Sequence, residues 1–236
     1  MPDAIPPTRL TLWRLTVAAS GLAGVWLASR EYDVWWTALS QQGSLAVGIA
    51  YLAFVTCPNP ATRRLQTASS WLRGALATLM VLIAVAFAVM QHGNGFDAYS
   101  IFEHVVTPAL VVTDYLIVGS NRVEPRWWHP LSWLLPPTAY LVYYVAADLS
   151  VYVALDTSRP TLFTTNLALL LGLLLLAGFG LSAAAGRCSL RGGAASVCTT
   201  QSRRPRARDL VSRTASAQDW YPNAVLVTSA ETGALE

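Results

Sequence analysis

The sequence predicts an all-α fold: a polytopic transmembrane bundle of six helices followed by a disordered C-terminal tail. Three observations predict it. Hydrophobic residues make up 54% of the 236-residue chain and charged residues 12%, about half the charged share of an ordinary globular domain. Six apolar stretches approach the roughly 20 residues that a helix needs to cross the hydrocarbon. After residue 186 the apolar runs stop and Arg, Ser and Thr take over. So few charges cannot cover a soluble domain. Nine Trp, nine Tyr and long Leu/Val/Ala runs also exclude a chain that is disordered throughout.

The expected spans are residues 10–29, 35–56, 70–90, 101–120, 133–147 and 161–186. The sixth, which contains LALLLGLLLLAGFGL, is the purest, and the second and fourth carry the most polar groups. The first lacks a small-residue cleavage site and is followed by further spans, so it reads as a retained helix. Uninterrupted apolar runs exclude the alternating strands of a membrane β-barrel. Gly24, Gly48 and Gly74 read as close-packing positions between helices.

Arginine placement predicts orientation. All sixteen positive side chains are Arg. With residues 1–9 in the cytoplasm, that side receives Arg9, Arg14, Arg63, Arg64, Arg73, Arg122, Arg126, Arg187 and the tail arginines. The other side receives Arg30 and Arg159, beside Glu31, Asp33, Asp97, Asp148 and Asp156. The split is fourteen against two, which predicts a multi-pass cell-membrane protein with both termini cytoplasmic. Arg14 and Arg73 lie in nominal span ends, where long side chains snorkel toward headgroups. Trp35, Trp36, Trp71, Trp127, Trp128 and Trp133 fall near boundaries, as an aromatic belt requires.

Residues 187–236 read as a disordered, orientation-setting tail. Its RRPRAR run (residues 203–208) is suited to anionic headgroups, and no nucleic-acid motif accompanies it, so no nucleic-acid partner is expected. Cys57, Cys188 and Cys198 are too few and too scattered for a disulfide framework or a zinc site. His92, His104 and His129 sit in separate segments without HExxH spacing, so neither a metal nor a cofactor is expected. His92 and His129 read as loop or interface residues.

Polar groups inside spans are expensive, and each raises a functional hypothesis. The fourth span carries Glu103, His104, Thr107 and Asp114. At 100° per residue His104, Thr107, Val111 and Asp114 share one side, with Asp114 roughly 15 Å along the helix from His104. Pro108 lies between them and removes one backbone hydrogen bond. The stripe supports either a polar cavity or pairing between helices. The second span opens with TALSQQGSLAVGIAY (residues 37–51), which places Ser40 and Ser44 one turn apart beside Gln41 and Gln42. Ser40 and His104 each lie about one turn below the same surface, the depth that a hydroxyl–imidazole pair requires. If they meet, His104 takes the Ser40 proton as Oγ attacks an ester carbonyl, then protonates the leaving alcohol. Gln42 or free backbone amides would stabilise the oxyanion.

Six spans, a polar opening to the second, and His-x3-Pro-x5-Asp in the fourth together resemble the bacterial Pr6Pr family of membrane proteins. That family is similar in turn to the eukaryotic androgen-induced and androgen-dependent TFPI-regulating proteins. The likeness covers residues 10–186. It is best in FEHVVTPALVVTDYLIVGS (residues 102–120), continuing through WWHPLSWLLPPTAYLVYY (residues 127–144). The eukaryotic relatives are intramembrane hydrolases of fatty-acid esters of hydroxy fatty acids, with a threonine nucleophile and a histidine. The resemblance implies His104 as that histidine. Setting LSQQGSLAV (residues 39–47) against the family's Phe-Thr-Ile-Gln-Ser-Asn-Leu implies Ser40 as nucleophile and Gln42 as the family glutamine. Gly43 and Ser44 stand where the family has Ser-Asn. Of the family's Tyr-Pro-Tyr-Pro-containing segment before the last helix, only Tyr152 and Leu155-Asp156 correspond.

Two functions follow as expectations. One is a lipid-ester hydrolase with catalytic Ser40 and His104, supported by Gln42, Thr107 and Asp114, acting on a fatty-acyl ester among membrane lipids. The other is a non-enzymatic scaffold or a lipid- or partner-binding protein. A transporter would rest on the Asp114 stripe alone, without the paired broken helices of that class.

Overall fold

A computed structural model describes residues 7–56, 69–91, 97–118 and 126–201. The chain divides into two compact units, Met1–Gly193 and Ala194–Glu236. Of the second, only the end of the last helix is described, so the RRPRAR run lies outside the described residues, as do His92 and Cys57. The described residues contain helices and turns and no strand.

Helix α1 is Pro7–Glu31 and α2 is Leu39–Thr56, joined through a 3-10 turn at Trp35–Thr37. Helix α3, Ser70–Ala86, ends in a π turn at Phe87–Gln91. Helix α4 covers Ala98–Val118 and contains two π turns, Phe102–Val106 and Asp114–Val118. A short α5, His129–Ser132, precedes α6, Leu135–Ala146, and α7 is Pro160–Gln201.

Among the described residues, four helices are long and apolar enough to cross a membrane: Thr8–Glu31, Ser70–Val89, Ala98–Val118 and Pro160–Arg187. The second and fifth expected spans differ. Helix α2 has 18 residues, and its opening Ser40, Gln41 and Gln42 dilute its hydropathy. Helix α6 has 12 residues, about 18 Å of rise against a hydrocarbon thickness of about 30 Å. The cause is Pro136-Pro137: proline lacks the N–H of a helix interior and fits only the first turn, so the helix starts at Leu135. The last helix runs to Gln201 rather than ending at residue 186.

Helices α1 and α2 pack backbone against backbone. A Cβ on Gly21 would stand 2.6 Å from the Ser44 carbonyl oxygen, and one on Gly48 2.7 Å from Leu22 Cδ2. The core joins Val17 and Ala18 of α1, Val47 and Tyr51 of α2, a run of α3 from Ala75 to Ile83, and Val111 and Tyr115 of α4. Helix α7 is mostly exposed, with Leu169, Leu171, Leu176 and Phe179 facing outward, as a lipid-facing helix would be.

Arg14 and Arg73 do not snorkel. They are 3% and 4% exposed: a buried acid, described below, draws the guanidinium of Arg73 into the bundle, and Arg14 donates to the Phe54 carbonyl. Trp133 likewise does not belong to the belt. It is 1% exposed, wedged where Gly74 leaves space on α3, whereas Trp36, Trp127 and Trp128 are exposed.

Candidate functional site

The α4 sequence builds two polar centres. Pro108 cannot donate to the carbonyl four residues back, and the preceding turn widens, with the Thr107 N–H reaching the Phe102 carbonyl. Turns of this kind are frequent at functional sites. The extra residue in that turn changes which side chains face inward. Glu103, Thr107, Val111 and Asp114 form the buried stripe, each at most 1% exposed, and His104 is half-buried beside it.

Asp114 is the hub of the first centre. Its Oδ1 accepts from Trp13 Nε1 at 3.0 Å. Its Oδ2 accepts from Tyr51 Oη at 2.8 Å and from Arg73 Nε at 2.7 Å. Arg73 Nη2 also donates to the Asp114 backbone carbonyl. One carboxylate thereby ties α1, α2 and α3 to α4. Arg14, nearby, donates to the Phe54 carbonyl at 3.2 Å and lies 5.7 Å from the Phe54 ring centroid. Thr107 is paired across the α1–α4 contact, 2.7 Å from Ser20 Oγ. Asp114 and Thr107 thus join helices rather than line a cavity.

The second centre lies at the opposite end of the bundle, where Tyr32 and Tyr99 meet at 2.6 Å. A cavity of about 920 Å³ opens there, within the range of small-molecule sites. Thr37, Ser40, Gln41, Tyr99, His104 and Tyr152 form its polar end, and Ile83, Phe87, Leu141, Leu167, Leu170 and Leu174 form its apolar walls. Leu167 to Leu174 alone covers roughly 10 Å along α7.

Ser40 and His104 therefore face one cavity, but they have different neighbours. The Ser40 side chain adjoins Glu103, whose two carboxyl oxygens make no hydrogen bond of good geometry. Glu103 is fully buried, and its stem fits because Gly24 has no Cβ; one placed there would stand 2.9 Å from Glu103 Cγ. His104 turns toward α3. Its ring stacks on Phe87 with centroids 3.8 Å apart and planes 6° apart, beside the Ile83 carbonyl. Its Nδ1 has no hydrogen-bond partner. Gln42 lies outside the cavity lining, with its amide donating to the Trp36 carbonyl at 2.8 Å. The glutamine that lines the cavity is Gln41, which is 5% exposed and has an unpartnered Oε1.

Tyr152, in the loop between α6 and α7, completes the polar end. Its hydroxyl accepts the Leu39 N–H at 2.8 Å. Tyr140 stands beside it and donates to the Thr37 carbonyl at 2.9 Å. Burial raises the Tyr152 pKa above the ordinary phenol value, so the hydroxyl keeps its proton at neutral pH. Farther along the same loop, the Ser158 hydroxyl and N–H, at 2.6 and 2.9 Å, lower the pKa of half-buried Asp156.

Sequence reasoning singled out Glu103 among the polar groups of the fourth span without giving it a role, and it gave none to Gln41 or Tyr152. The 103-107-111-114 spacing carried a signal for Glu103, while nothing local marks Gln41 over Gln42. Among the described residues no three His, Cys, Asp or Glu side chains converge as a metal site would need. Comparison with protein-family models, with curated proteins and with solved structures finds no match to this chain.

Proposed function

We propose that this chain is a multi-pass cell-membrane protein of the Pr6Pr type that takes a fatty-acyl amphiphile into its cavity from the surrounding lipid. The observation that carries the reading is the cavity itself, about 920 Å³, apolar along α3, α6 and α7 and polar at the tyrosine end. An acyl chain matches the apolar walls, and an ester or acid group matches the polar end. The proposed topology has six crossings with both termini in the cytoplasm. Arg placement supports it, with α2 and the α5–α6 pair as the second and fifth crossings. A reporter active only outside the cytoplasm is expected to be silent when fused after Glu236 and active when fused after Asp156. The reverse pattern would refute this orientation.

Hydrolysis of the bound ester is the second reading, and it is favoured by Ser40 and His104 lining the same cavity. Ser40 Oγ would attack the carbonyl carbon as its proton passes to His104. The ester C–O bond would then break, and the leaving alcohol would take that proton. Water would release the acid and restore the Ser40 hydroxyl. This step needs the imidazole to leave its stack on Phe87. Wild-type protein in lipid nanodiscs is expected to bind a pyrene-labelled fatty-acid methyl ester and to be labelled by a fluorophosphonate. Ser40→Ala should abolish labelling and leave binding intact. Binding without labelling of the folded wild type would remove the hydrolase reading, and absence of binding would remove the cavity reading.

A further inference from the structure

The start of α2 is already occupied by one oxygen. Ala38 is extended (φ −86°, ψ 144°), and its carbonyl takes the first helical bond, from the Gln42 N–H. Leu39 and Ser40 therefore open the helix with N–H groups that have no partner inside it, a position that favours oxygen and negative charge. The Tyr152 hydroxyl meets both: it accepts the Leu39 N–H at 2.8 Å and stands beside the Ser40 N–H.

An independent feature faces the same space. Gln41, 5% exposed, belongs to the cavity lining, and its buried Oε1 has no hydrogen-bond partner. The polar end thus offers two backbone donors and one side-chain acceptor within three consecutive residues. Tyr152 reaches the donors from a strap held at two points: the Tyr144 hydroxyl is 3.3 Å from the Tyr152 carbonyl, and Asn166 Nδ2 donates to the Ala154 carbonyl at 2.8 Å. The strap can release one hydrogen bond and keep its anchors.

We infer that the Leu39 and Ser40 amides form the carbonyl-oxygen subsite of the cavity, held by Tyr152, and that the carbonyl of a fatty acid or fatty-acyl ester displaces that phenol oxygen. This rests on the amphiphile-binding reading above. The displaced position is beside Ser40, so a carbonyl seated there has its carbon next to the candidate nucleophile. With a free acid, the acid O–H donates to Gln41 Oε1. The chain follows Ile83, Leu141 and Leu170.

Two probes of equal length test the inference on the full chain in nanodiscs: a pyrene-labelled fatty-acid methyl ester and a pyrene-labelled alkane. Tyr152→Phe removes the competing oxygen and is expected to tighten ester binding on the order of five-fold, leaving the alkane within about two-fold. Leu39→Pro removes one N–H at a helix position where proline fits, and should reduce the preference for ester over alkane. Weaker ester binding by Tyr152→Phe, an equal change for both probes, or no change for either would overturn the inference and leave the cavity reading standing. If the wild type binds neither probe, both fall.

Discussion

Asp114→Ala is expected to destabilise the bundle by about 3–5 kcal/mol, the cost of stranding one member of a buried ion pair. The substitution removes the acceptors of Trp13, Tyr51 and Arg73 together. Arg73, 4% exposed, keeps only the backbone carbonyl of residue 114. Arg14 lies within electrostatic reach of both Asp114 and Arg73, so loss of the carboxylate leaves two cations facing each other. Tyr51→Phe removes one bond and is expected to cost about 1 kcal/mol, because single hydrogen bonds between membrane helices contribute little. Asp114→Asn, which keeps one acceptor oxygen, turns the other into a donor and loses the charge, should fall between the two. The readout is thermal unfolding in detergent, where Asp114→Ala should lower the midpoint by about 10 °C. Adding Arg73→Leu should recover part of that loss. Equal midpoints for Asp114→Ala and Tyr51→Phe would show that charge plays no part at this hub.

The hub also marks what could be read in the sequence. Apolar length alone located α1, α3, α4 and α7, and the polar opening of α2 announced a helix that is not uniformly lipid-facing. The rotational phase of each helix was not legible. Arg73 sits near a span end, and only the bundle decides that it turns inward to Asp114 instead of outward to headgroups. Neighbouring residues on α4 differ by about 100°, and the π turn at Phe102–Val106 moves that phase again. Glu103 is thereby fully buried beside Ser40, and His104 rests on Phe87. The α2 start posed the same problem, since Gln41 and Gln42 are chemically identical and only the rotational phase of α2 in the bundle separates them: Gln41 is buried in the cavity lining, and Gln42 donates to the Trp36 carbonyl. The shortness of α6, by contrast, was written in Pro136-Pro137.

Trp133 is the other residue on which the helices converge, and it supports the second large prediction. Its indole lies where a Cβ on Gly74 would stand 2.1 Å from Cζ2 and 2.6 Å from Cη2. Tyr115 meets it edge-on at 6.1 Å. On α7, a Cβ at Gly178 would be 3.5 Å from Cε3. The indole Nε1 makes no hydrogen bond, so shape alone holds the ring between α3, α4 and α7. Trp133→Ala should cost about 3–5 kcal/mol through the cavity it leaves. Gly74→Ala should cost about 1–3 kcal/mol through overlap with the ring. If overlap is the cause, a smaller ring must relieve it. Gly74→Ala combined with Trp133→Phe should be at least about 0.5 kcal/mol more stable than the sum of the single effects. Gly172→Ala, whose Cβ meets nothing within 4 Å, controls for helix propensity and should be neutral or stabilising by up to about 1 kcal/mol. Strict additivity of the two core substitutions, read from the same unfolding midpoints, would mean that Gly74 is required for another reason than the Trp133 ring.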